Sequence, residues 1–194
     1  MDSEKPDEYR IIAEAVKAAL QTLPPHESDF VAETSCGDLS PEARLERVLE
    51  TTLSARGWSI EERDDSVGAR PMAQAAAMDT ANRRVVLYLP FLRWLALLDT
   101  PPERIPAQWV RDAEIITALP GSELSAARRE RVFRALALAH ELFHVLDEEA
   151  RETSAGQSGF WPPEKPPARA CIEAAADYFV GDYIRRFAAT DPTC

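Results

Sequence analysis

The chain has 194 residues, 45% of them hydrophobic and 28% charged, and a formal net charge of −11. That length suits one domain with a buried core, or a domain with a helical appendage, and the composition is that of a globular protein. So acidic a chain is a poor candidate for non-specific phosphate-backbone binding, which needs clustered Lys and Arg, with one local exception at Arg128, Arg129, Arg131 and Arg134, and no apolar run is long enough to span a bilayer.

The opening residues, Met1 to Glu8, are acidic and polar. They lack the basic start and apolar middle of a secretion signal. The three cysteines, Cys36, Cys171 and Cys194, form no close-spaced pair. An odd count without a signal favours reduced thiols and a cytoplasmic location.

Ile11, Ile12, Ala15, Val16, Ala19 and Leu20 recur at helical spacing and predict an amphipathic helix over residues 8–23, stopped by Pro24-Pro25. A loop follows over residues 26–40. Ser40 is a suitable N-cap with Pro41 at the first helical position. The helix it opens carries Leu45, Val48, Leu49, Thr52 and Leu53 on one face and stops at Gly57. Residues 1–56 therefore read as an N-terminal helical segment, and residues 57–194 as the main unit.

The middle of the chain turns strand-like. Trp58 to Arg63 and Met72 to Met78 are candidate strands. Asp79 to Asn82 is a turn. Arg83 to Leu89 is the strongest strand, rich in β-branched and aromatic residues. Helices are predicted over Phe91 to Leu98 and Pro106 to Ala118, the second with Trp109 and Ile115 or Ile116 inward. A long helix runs from Ser125 to Ala150 and carries Arg128, Arg129, Arg131 and Arg134, which read as a solvated face. Residues 151–168 hold Gly156, Gly159 and four prolines and read as loop, and Pro167 to Phe187 contains the last helix. Helices, then strands, then helices predict an α+β fold with a small antiparallel sheet packed before the long helix.

Within that long helix stands His140-Glu141-Leu142-Phe143-His144. Residues four apart share a helix face with Cβ atoms about 5–6 Å apart, so two imidazoles can reach one zinc ion at about 2.0–2.1 Å. Glu141 points beside the ion and can take a proton from a metal-activated water, which is the general-base reading of this motif. Only three histidines occur in the chain, and two fall at this spacing. The flanking Ala135, Leu136, Ala139, Leu142, Phe143 and Leu146 predict a largely buried helix, in which two histidines and a carboxylate are costly without partners.

A catalytic zinc needs a third protein ligand and an open fourth position. In the last helix Glu173 and Asp177 lie four apart. Glu173 is the candidate third ligand. Asp177 is the candidate acceptor for the other ring nitrogen of a histidine, His140 by preference. Ala174, Ala175 and Ala176 allow the two helices to approach closely.

His140-Glu141-x-x-His144 followed by Glu173-x-x-x-Asp177 resembles the gluzincin metallopeptidases. Glu173 to Val180 also looks like the alanine-rich, glutamate-bearing helix of the ImmA/IrrE-type peptidases and minigluzincins, which are compact domains with a short sheet before the metal helix. The resemblance covers residues 58–187. It implies a zincin-like domain that binds zinc and hydrolyses peptide bonds in a protein or peptide substrate. In the ImmA/IrrE-type branch that substrate is often a repressor, but no helix-turn-helix partner domain is visible in this chain.

The rest of a peptidase site is less marked. The strand Arg83 to Leu89 is a candidate for pairing with an extended substrate. Tyr178, Tyr183, Arg186 and His26 are candidate oxyanion donors. Phe160 and Trp161 could form a lip over the site or a small satellite core. Cys171 reads as a small buried hydrophobe rather than a ligand. Two functions compete with an active peptidase: a non-catalytic, metal-stabilised binding or regulatory module on the same scaffold, and a latent protease whose helices 8–23 and 41–56 cover the cleft.

Overall fold

The computed structural model describes residues 5–23, 39–64, 75–97, 107–118, 125–153, 159–162 and 167–190. The features expected at Pro24-Pro25, His26, Cys36, Met72, the prolines 101 and 102, Pro120-Gly121, Gly156 and Cys194 lie outside these residues. The described elements are, in chain order, α1 (Lys5–Gln21), α2 (Pro41–Ala55), β1 (Ser59–Arg63), β2 (Ala76–Asp79), β3 (Arg84–Tyr88), α3 (Leu89–Leu97), α4 (Ala107–Thr117), α5 (Ala126–Thr153) and α6 (Arg169–Thr190). The fold is α+β, mainly helical with one small sheet.

Helix α5 is the axis around which the rest is packed. Every residue from Ala135 to Ala139 is fully buried, as expected of a stretch of helix that is apolar on all sides. Helices α2, α3, α4 and α6 and strand β2 all lie against it. Ser125 starts it, its carbonyl accepting the Arg128 and Arg129 N–H groups at 3.1 and 3.0 Å. Helix α1 places Ile12, Ala15, Val16 and Ala19 inward, chiefly against α6, and these residues belong to the same hydrophobic core as α5 and the sheet.

The end of α2 is a Schellman motif. Trp58 N–H donates to the Leu53 carbonyl at 3.0 Å and Gly57 N–H to the Ser54 carbonyl at 2.9 Å. Gly57 takes φ +77°, the left-handed conformation this cap requires. The cap turns the chain directly into β1 and buries Trp58.

The three strands lie in the order β1-β3-β2. Strands β2 and β3 form the expected antiparallel hairpin, with Asp79 opposite Arg84. The Asp79 carboxylate accepts the Asn82 N–H and side-chain amide across the turn, which with Arg84 holds it below the usual carboxylate range. Strand β1 departs from expectation. It pairs parallel to β3, Ser59 opposite Arg84, so the sheet is mixed rather than antiparallel. Strand β3 holds the centre because Val85, Val86 and Leu87 are apolar in succession and are buried on both faces, whereas β1 and β2 carry charged residues suited to edges.

The arginines of α5 do not form a free solvated face. Arg128 meets Glu42 at 3.1 Å, Arg131 meets Glu46 at 3.2 Å, and Arg134 reaches Glu46, Glu50 and Glu62. An acidic stripe on α2 and β1 thus faces a basic stripe on α5. Burial pushes the Glu46 carboxyl up, against the pull of Arg134. Arg134→Ala leaves this half-buried acid with Arg131 alone and is expected to cost about 2 kcal/mol, read as a lower midpoint in urea.

Beyond α5 the chain turns back at Gly159, with φ +68°. A Cβ there would stand 2.9 Å from the Asp147 carbonyl oxygen and 3.0 Å from Arg151 Cγ. Asp147, 2% exposed, accepts the Phe160 N–H at 3.1 Å and pairs with Arg151. This anchor seats Trp161 in the main core and sets the Phe160 ring 6.3 Å from that of Phe143. Both aromatics therefore pack with the core rather than form a free lip. Gly159→Ala combines a left-handed strain with a backbone clash. It should cost about 2 kcal/mol and lower Tm by about 4–8 °C, measurable by thermal unfolding.

Candidate metal centre

The centre lies where α5 crosses α6. Ala175 and Ala176 are fully buried, and with no bulk between the helix axes the longer neighbours on each helix can meet. His140 and His144 project from one face of α5 because they are one turn apart. Glu173 and Asp177 project from the facing side of α6 for the same reason. The structure brings together all four residues singled out in the sequence.

The distances are those of a chelating set. His140 Nε2 and His144 Nε2 stand 3.2 Å apart, and Glu173 Oε2 is 3.2 Å from the first and 3.7 Å from the second. Tetrahedral bonds of about 2.0–2.1 Å separate ligand atoms by about 3.3–3.4 Å. Octahedral bonds of that length, as for magnesium, bring them to about 2.9 Å, and magnesium also prefers oxygen donors. His140, His144 and Glu173 could together hold a metal ion, and two imidazoles suit a nitrogen-accepting divalent ion better than magnesium.

Asp177 sets the histidine's tautomer. Its Oδ1 lies 3.1 Å from His140 Nδ1. A carboxylate can only accept, so Nδ1 carries a proton; with Nε2 deprotonated, as a metal ligand must be, its lone pair would face His144 and Glu173. The same Asp177 oxygen accepts the indole N–H of Trp109, on α4, at 3.0 Å. On the other side, Arg169 reaches Glu173 Oε1 at 3.4 Å and leaves Oε2 to the histidines.

Charge at the centre follows from this geometry. Burial works to lower the His140 pKa, but hydrogen bonds to Asp177 and Glu173 and the charge of Glu141 overcome it and raise it to about 9. Hydrogen bonds from His140 and His144 hold the Glu173 carboxyl far below its ordinary value. Glu141 is 5% exposed; burial pushes its carboxyl up, opposed by the two histidines and assisted by Glu173. The side chains of His140 and His144 are 14% and 15% exposed and that of Glu173 is 43% exposed. The set is therefore most accessible on the Glu173 side.

No protein family, no curated protein and no solved structure matches this chain.

Several other candidates fall away from the centre. Tyr178 turns toward α1 and lines a cavity of about 520 Å³ with Ile12, Val16 and Leu20, on another side of α6. Tyr183 is 1% exposed and packs on Phe179 within the core, so it meets no substrate. Arg186 donates to the Leu20 carbonyl at 3.2 Å and secures the end of α1. Cys171 is a free thiol, partly exposed rather than buried. Strand β3 is paired along both edges, so its backbone has no row of groups left for an extended peptide. Strand β2 packs against α5. Trp109 is the site neighbour that periodicity placed only as a core residue.

Proposed function

We propose that the chain is a zinc-dependent metallohydrolase of the gluzincin type, a peptidase that uses Glu141 as general base, working in the reducing cytoplasm that its cysteines suggest. The observation that carries this reading is the convergence of His140 Nε2, His144 Nε2 and Glu173 Oε2 at 3.2–3.7 Å, with a buried acid, Glu141, next to the first ligand. A set of three donors with one open corner is the arrangement of a catalytic zinc site, whereas structural sites are closed by four protein ligands. A purely structural site also has no use for the buried carboxylate of Glu141.

When bound, the ion supplies a Lewis acid that makes water a nucleophile near neutral pH. The chain's own residues do the rest. Glu141 accepts a proton from the attacking water on a carboxylate oxygen and returns it to the departing amine nitrogen. Its upward-shifted pKa brings its basicity nearer the working pH, which favours both steps. Asp177 keeps the His140 lone pair aimed into the set.

The test is zinc-loaded full-length protein against a broad peptide library. Cleavage is expected, lost with a chelator and regained with zinc. A protein that holds about one zinc per chain and cleaves nothing would place it instead among metal-stabilised binding modules.

A further inference from the structure

Trp109 stands outside the chemistry just described, on a helix that contributes no ligand, yet it makes two contacts with the metal centre. Its indole N–H donates to Asp177 Oδ1 at 3.0 Å, and the edge of its ring meets that of His140, centroids 5.8 Å apart at 65°. It is 6% exposed.

We propose that Trp109 is a positioning residue for the metal centre, fixing the Asp177 carboxylate and, through it, the direction of the His140 Nε2 lone pair. The inference rests on the metal reading of His140, His144 and Glu173 and extends it to a third helix, α4.

Two donors on one oxygen carry the argument. A carboxylate held by a single hydrogen bond can still rotate about its side-chain torsions and carry the imidazole with it. Asp177 Oδ1 receives His140 from α5 and Trp109 from α4, at 3.1 and 3.0 Å. These donors come from different helices, so rotation that keeps one bond breaks the other. The dependence is mutual, because a buried indole N–H itself requires an acceptor.

The approach of α4 is built into the same face of α6. Gly181 follows Asp177 by one turn, and a Cβ there would stand 2.9 Å from Gln108 Nε2 and 3.2 Å from Asp112 Oδ1. Those two residues flank Trp109 on α4. The fully buried Asp112 accepts the Gln108 amide at 2.8 Å, so the missing side chain at 181 lets α4 lie close where the indole must reach Asp177.

The test is zinc affinity of the full-length chain, measured by competition with a chelating dye. Trp109→Phe keeps a ring and removes the N–H. It should weaken zinc binding by about tenfold, the lower end of the loss expected for partners of metal ligands. Asp177→Asn should weaken it by at least as much. The double variant should bind no more weakly than Asp177→Asn alone, because Trp109 acts through Asp177. A purely structural tryptophan would not produce that coupling. Wild-type affinity in Trp109→Phe, or losses that multiply fully in the double variant, overturns the inference.

Should Trp109→Phe fail to fold, the native chain answers through the indole N–H resonance of Trp109. It should move and saturate at one equivalent of zinc, and an unmoved resonance overturns the inference. A wild-type chain that takes up no zinc overturns the metal reading and this inference with it. That result is distinct from a wild type that binds and a variant that binds equally well.

Discussion

Glu141→Gln should keep zinc at about one ion per chain and lower peptide hydrolysis by about 10²–10⁴-fold, the range that a positioned general base contributes. Gln has the shape of Glu but cannot take a proton, so the change removes the chemistry and leaves the packing. The free energy of folding should move the other way. Glu141 is buried and its carboxyl is pushed up, so the folded state carries a burial cost for the charged form that the neutral amide avoids. The variant is therefore expected to unfold at the same temperature as the parent or a higher one. Metal content, turnover of a cleaved library peptide and Tm together decide the matter. Full activity in the variant would show that another group is the base, and loss of zinc would show that Glu141 supports the ion.

The parts of this centre that lay in the sequence are those whose spacing is local. His140 with His144, and Glu173 with Asp177, are each one helical turn apart. A helix fixes such pairs without help from the rest of the fold, and the alanines between them announced the close crossing. The hydrophobic run Val85-Val86-Leu87 likewise marked the buried strand. What the sequence left open depends on contacts between distant segments. Val85-Val86-Leu87 marked a strand but not its place at the centre of the sheet nor that β1 lies parallel beside it, since the register joins Ser59 to Arg84, far along the chain. The acidic partners of Arg128, Arg131 and Arg134 sit on α2 and β1, so one helix read alone showed only a basic stripe. Trp109 is the same case at the site. A tryptophan at an inward position of an amphipathic helix is indistinguishable from a core residue until α4 and α6 are laid together. Tyr178 and Tyr183 failed for a complementary reason: they share a helix with Glu173 but not its face.

The metal should also change how the fold responds to pH. In the metal-free chain the pKa of His140 is raised to about 9, above its ordinary value of about 6.5 in an unfolded chain. The protonated imidazole then favours the folded state. That contribution is full below about pH 6.5 and is lost as pH rises through about 9. It amounts to about 3 kcal/mol, one shared interaction of His140 with Asp177 and Glu173 rather than a sum over the three. Zinc demands the opposite state, because Nε2 must give up its proton to bind. Apparent zinc affinity should therefore rise about tenfold per pH unit between pH 6.5 and 8.5 from this group alone. Chelator-treated protein should lose Tm over that interval while zinc-loaded protein holds it, so the gain in Tm from zinc widens with pH. At a free zinc concentration about 1,000 times the dissociation constant the gain is about 4 kcal/mol, or about 8–16 °C for a chain of this size. His144→Ala removes one of the three donors and should abolish the gain at every pH. Thermal unfolding of both proteins, with and without zinc across this pH range, measures it directly. A zinc-induced gain that survives in His144→Ala would place the ion elsewhere in the molecule.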